Sequence, residues 1–128
     1  MGRDIVHSTR APEAVGPYSQ AVGTDGMLFV SGQLPIDPET GTLSDLEIGD
    51  QTRKVLDNLR AILEEAGSSL ADIVKTTIYL ADMGTFGTVN KAYGDYFPKA
   101  PPARVCIEAA RLPKDARIMV DCIAARPR

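Results

Sequence analysis

One histidine, two cysteines and no apolar run near the roughly 18 to 20 residues of a membrane-spanning helix are the shortages that say most about this chain. Each removes a class of chemistry. His7 stands alone near the start, and Cys106 and Cys122 lack paired-ligand spacing. No zinc-deaminase His-x-Glu with Pro-Cys-x-x-Cys can be found, and no metal is expected. The same solitary histidine leaves Ser31 and Cys106 without a partner for a nucleophilic triad. The glycine-rich stretches carry neither a phosphate-binding nor a dinucleotide fingerprint, so no cofactor is expected either. Two cysteines are too few for a disulfide framework, and no apolar signal core follows Met1-Gly2-Arg3-Asp4. The expected setting is therefore a reducing cytoplasm, with no membrane partner.

Positive charge is also scarce. Fourteen Lys and Arg against seventeen Asp and Glu give a net charge of −3, and the basic residues are scattered. Only Arg126 and Arg128 resemble a small basic tail, expected to be solvated, and nucleic acid is not an expected partner. What is present is ordinary for a globular protein: 44% apolar and 24% charged residues in 128. That length predicts one domain, 1–128, burying roughly two thirds of the unfolded chain's surface.

Met27–Gln33 reads as a strand behind the Asp25-Gly26 turn, with Ser19 to Gly23 pairing back on it as a hairpin. Pro35 to Gly41 is rich in turn formers and forms a loop. Ser44 and Glu47 then stand at the spacing of a capping box. Val55, Leu56, Leu59, Ile62, Leu63 and Ala66 recur at helical steps opposite a charged side, and Gly67 closes that helix. In Ile73–Leu80, Val74, Thr76, Ile78 and Leu80 are expected on one face of a strand, with Lys75, Thr77 and Tyr79 on the other. A shorter helix carries Phe86, Val89, Tyr93, Tyr96 and Phe97 and stops at Pro98. Two more strands follow, one around Arg104 and one over Ile118–Ala125. The order predicts an α+β fold with two helices on one face of a sheet. The uncovered face, apolar even on the last strand, predicts a homo-oligomer. Arg111-Leu112-Pro113 echoes Gln33-Leu34-Pro35 too briefly to indicate an internal repeat.

Alternation turns Arg104 and Cys106 to one face of their strand and Val105 and Ile107 to the other. A guanidinium is charged at every working pH and presents a planar fork of donors, so Arg104 suits the carboxylate of a small acid. Asp121 shares a face with Met119 and Ile123. There burial would raise its pKa and a nearby arginine would lower it, and it serves either as half of an ion pair with Arg104 or another base or as a proton carrier. Cys106 reads first as a small core residue whose backbone can still meet a ligand. Tyr18 is a turn aromatic or a pocket wall, Ser31 a local backbone partner or a cleft residue, and Asn90 a solvent-facing or a ligand-facing helix position.

Several ordered motifs together resemble the RidA/YjgF family, the reactive intermediate deaminases, also labelled translation inhibitors or L-PSP endoribonucleases. They are Gly16-Pro17-Tyr18-Ser19-Gln20, Val30-Ser31-Gly32-Gln33-Leu34-Pro35, Gln51-Thr52-Arg53 with Leu56-Asp57-Asn58-Leu59, Asp72 to Thr77, Val89-Asn90, and Pro102 to Cys106 through Arg111-Leu112-Pro113-Lys114. The resemblance implies a chorismate-mutase-like fold, one mixed sheet with two helices packed on one face. It also implies a homotrimer with the sheets facing inward and clefts between subunits. The implied activity is hydrolysis of 2-imino acids such as 2-iminobutanoate and 2-iminopropanoate to 2-keto acids and ammonia, without metal or organic cofactor. Arg104 would hold the substrate carboxylate, backbone groups near Gly32 and Cys106 would orient it, and Tyr18, Ser31 and Asn90 would line the cleft. Members resembling the active deaminases carry two alternating glutamates on the last strand, and here those positions are Met119 and Asp121. The resemblance thus leaves the attacking water to backbone carbonyls or Asp121, and it keeps a non-catalytic carboxylate binder and an endoribonuclease or translation inhibitor as alternatives.

Overall fold

The last strand, at the middle of the sheet, sets the architecture. In the computed structural model, which describes residues 2–127, Ile118, Val120, Cys122 and Ala124 are buried while Met119, Asp121, Ile123 and Ala125 are only half-buried. Among the described residues, six strands and two α-helices build the fold around that division. They are β1 (Asp4–Val6), β2 (Ala21–Thr24), β3 (Met27–Gln33), α1 (Ile48–Glu65), β4 (Ile73–Leu80), α2 (Phe86–Gly94), β5 (Ala103–Glu108) and β6 (Ile118–Ala125). The six strands form one sheet in the order β1-β2-β3-β6-β4-β5. Only β4 and β5 run parallel, joined through α2, and every other neighbouring pair is antiparallel. This is the expected α+β fold with a single mixed sheet. No described helix is long and apolar enough to cross a membrane.

Both helices lie on one face. Val55, Leu56, Leu59, Ile62 and Leu63 of α1 are wholly buried with Leu28, Ile78, Leu80, Ile118 and Val120 of the sheet and Val89 and Tyr93 of α2. Each such aliphatic side chain contributes about 1.5 to 3 kcal/mol on burial. Helix α1 ends where glycine permits it: Gly67 has φ of +79°. The Gly67 N–H bonds to the Glu64 carbonyl at 3.0 Å, and the Ser68 N–H bonds to that of Leu63 at 2.9 Å. The hairpin turn also forms as expected, with Asp25 and Gly26 both at positive φ.

Five details depart from the sequence-based expectations. The Ser44–Glu47 capping box is absent: α1 starts at Ile48, Glu47 makes no side-chain cap, and the Gln51 side-chain amide instead donates to the Ser44 carbonyl. Val74 is 47% exposed because β4 carries an extra residue between its pairings Ile73↔Ala124 and Lys75↔Ile123, so Ile73 takes the buried place. Helix α2 ends at Gly94, and Tyr96 and Phe97 follow in tight turns with bonds three residues back, as Pro98 keeps Phe97 from continuing the helix. Strand β1 gave no periodic signal because it is only three residues long. Arg126 is tied down rather than solvated, donating to both carboxylate oxygens of Asp4 at 2.8 and 2.9 Å and to the Ala66 carbonyl at 2.9 Å. Arg128 lies outside the described residues.

Candidate functional site: two half-sites on opposite faces of one sheet

Cross-strand pairing places Arg104 on the helix-covered side. Arg104 pairs with Thr76, and Thr76 pairs with buried Cys122. The Thr76 hydroxyl lies 2.8 Å from that of Tyr93 on α2. Strand β5 is at the sheet edge, so the guanidinium emerges beside α2 without having to cross the core. There it stands 5.1 Å from the Tyr93 ring centre and 5.5 Å from that of Phe86, within cation–π range. Its Nη1 donates to Asn90 Oδ1 at 2.6 Å. Phe86, Asn90 and Tyr93 recur at helical steps on α2, so a single helix face supplies all three contacts. Among the described residues Arg104 forms no salt bridge. It opens with Asn90, Tyr93, Phe97, Pro101 and Pro102 on a cavity of about 420 Å³.

Cys106 is on the same face but does not line that cavity. It sits against the main core, where burial pushes its thiol pKa up and Arg104 only partly offsets the rise. The core reading of this side chain fits, and β5 keeps one unpaired backbone edge.

The other predicted residues meet on the open face. Strand β3 pairs Val30 with Cys122 and Gln33 with Val120, so Ser31 and Gly32 together oppose the single residue Asp121. This bulge aims both toward a cavity of about 310 Å³ that also takes in Val15, Tyr18, Leu34, Pro113, Met119 and Asp121. Tyr18 is 46% exposed and its hydroxyl accepts from the Val15 N–H at 3.3 Å, so it is both turn aromatic and pocket wall. The Ser31 hydroxyl donates to the Ser19 carbonyl at 2.6 Å. Gly32 packs closely on its neighbour: a Cβ there would lie 2.8 Å from the Met119 sulfur, so a larger residue needs that flexible side chain to turn aside.

Asp121 does not pair with Arg104, since the two lie on opposite faces. One oxygen, Oδ2, accepts the hydroxyl proton of Tyr79 at 3.0 Å. Sequence reasoning gave Tyr79 no role, although its place on the same face as Lys75 and Thr77 was a usable signal. Pro113 and Leu34 were visible only as turn and motif residues. His7 is far from chemistry, paired with exposed Glu13 at 3.0 Å. A larger cavity of about 590 Å³ between residues 43–47 and 115–117 holds none of the residues predicted for the site.

A mixed sheet with helices on one side, an unpaired arginine at its edge and an apolar cavity beside a bulge define a small α+β protein suited to small anionic ligands. Comparison with known proteins gives this class a family. Residues 8–126 match the family described as Endoribonuclease L-PSP. A RutC family protein of Pyrococcus abyssi is 48% identical over 124 residues, covering 97% of this chain and 98% of that protein. The protein of Salmonella typhimurium named 2-iminobutanoate/2-iminopropanoate deaminase is 44% identical, covering 94% and 96%. The crystal structure of E. coli TdcF with bound serine superposes with a TM-score of 0.92 at 40% identity, covering 97% of this chain and 99% of that one. The chain belongs to the RidA/YjgF family, to which the Endoribonuclease L-PSP description also applies.

Proposed function

We propose that this protein hydrolyses 2-imino acids to 2-keto acids and ammonia in clefts between the subunits of a homotrimer. The observation that carries the reading is Arg104, a guanidinium with no carboxylate partner among the described residues, held open by Asn90 and two rings. Such a fork binds a substrate carboxylate by paired charge-assisted hydrogen bonds. One chain cannot bring Arg104 to the cavity of Tyr18, Ser31, Gly32 and Met119, because a sheet lies between them. A neighbouring copy can, and the open face invites one: Phe29 is 47% exposed, and Val105 and Ile107 are each 43% exposed.

In that cleft the clamped acid presents its imine carbon to a water on the open-face side. Attack gives a tetrahedral carbinolamine, and proton transfer to nitrogen expels ammonia. The protein's work is to orient the acid and move protons, for the imine is already electrophilic. Purified protein is expected to accelerate ammonia release from freshly generated 2-iminobutyrate, and Arg104→Ala to abolish it. Absence of acceleration by the wild type overturns the reading.

Met119 favours a second reading, a carboxylate binder without turnover. Its thioether cannot act as a base, and it stands in the cavity wall where related deaminases are expected to carry a glutamate. That reading predicts calorimetric binding of 2-ketobutyrate by the wild type, no catalysis, and gain of catalysis in Met119→Glu.

A further inference from the structure

The cavity wall contains one carboxylate, and its environment is specific. Asp121 is half-buried among Val15, Leu34, Pro113 and Met119. Its Oδ2 is fixed by the Tyr79 hydroxyl, and Oδ1 receives no hydrogen bond from the described residues. Tyr79 is itself well anchored. It pairs with Met119 across β4 and β6, and its ring rests on the small apolar cluster of Leu34, Ile36, Leu112 and Ala116. Burial, and then Asp121, push the phenol pKa up, so Tyr79 keeps its proton and remains a donor. The bulge of β3 brings Ser31 and Gly32 directly opposite the free oxygen's residue.

We propose that Asp121 is the proton acceptor of the hydrolysis and that Tyr79 is its positioning residue, which rests on the imine deaminase reading above. As the water oxygen bonds to the carbon of a protonated imine, the π pair moves to nitrogen and one water proton passes to Asp121. Asp121 then returns that proton to the amino group of the carbinolamine. The C–N bond breaks with its pair leaving on nitrogen, the carbonyl forms, and the hydroxyl proton departs with the ammonia as ammonium. Aspartate ends as it began, and the sum is protonated imine plus water to ketone plus ammonium.

The test is steady-state hydrolysis of freshly generated 2-iminobutyrate by wild type, Asp121→Asn and Tyr79→Phe, with calorimetric 2-ketobutyrate binding and thermal melting measured for each. Asp121→Asn is expected to lose about 100-fold or more in kcat with ligand binding kept, the range of a positioned general base. Tyr79→Phe is expected to lower kcat about tenfold at unchanged KM, the signature of a misplaced base. Wild-type kcat in a folded Asp121→Asn overturns the proposal and leaves the deaminase reading standing. If Asp121→Asn fails to fold, unchanged kcat in Tyr79→Phe overturns it instead. Ligand binding without turnover by the wild type overturns both together.

Discussion

The two faces of β6 are four residues each, separated only by the direction of a side chain, and they have different work. Ile118, Val120, Cys122 and Ala124 are sealed under the helices, where shape and volume are the only requirements. Met119, Asp121, Ile123 and Ala125 retain access to solvent. There a polar group is tolerated, an apolar one seeks a partner, and a cavity can form. One strand thus supplies core on one side and the wall of a cavity on the other, and a substitution at adjacent positions tests different properties.

The sharpest way to break that contrast is truncation. Leu56→Ala on α1, against the helix-covered face, is expected to cost about 2 to 5 kcal/mol in urea denaturation. The larger loss at Ile107, on the open face, should instead come from weakened association, and Ile107→Ala should leave the dissociated protomer within about 1 kcal/mol of wild type. Phe29→Asp sharpens the contrast from the other side. It should shift the sedimentation mass from oligomer to protomer while keeping the far-ultraviolet circular dichroism, since its neighbours on that face are other subunits in the proposed assembly.

The smallest effect is a pH dependence whose largest contributors lie on the covered side. Burial pushes the Cys122 thiol up from 9.0 to about 12, and burial with the nearby Asp57 carboxylate pushes the Tyr96 phenol up from 10.0 to about 12. A folded-state pKa above the unfolded one favours the protonated folded form. The contribution is full below pH 9 and falls as pH rises toward 12, because the unfolded chain releases these protons first. Melting temperature should therefore fall through this window, and less steeply in Cys122→Val. An alkaline limb that is identical in wild type and Cys122→Val would remove the thiol from this account.

The core was legible in the sequence because periodicity reports burial directly: every helix position predicted to be apolar in α1 is buried, and β6 alternates from end to end as read. The departures arise where tertiary pairing, not periodicity, decides. Val74 was misplaced because an extra residue in β4 exists only relative to β6. Ser31 and Gly32 share a cavity with Asp121 for the same kind of reason. The motif polar residues divide once their partners are visible. Gln20 holds Ser8 and Pro12, and Asn58 holds the carbonyls of Leu34 and Ile36, so both are scaffold. Asn90 instead faces Arg104. Residue type could nominate Arg104 as an anion receptor, but only the register puts it across the sheet from Met119 and Asp121.

The contact between Gly32 and Met119 makes these two positions an epistatic pair. A Cβ added at 32 would lie 2.8 Å from the sulfur, 3.0 Å from Cγ and 3.3 Å from Cε, all atoms of one flexible side chain. While methionine stays, a residue larger than glycine at 32 needs that side chain to turn aside, and once 119 is shortened the requirement lifts. A directed-evolution library that varies 32 together with 119 therefore reaches combinations that varying 32 alone reaches only through a shift of the methionine.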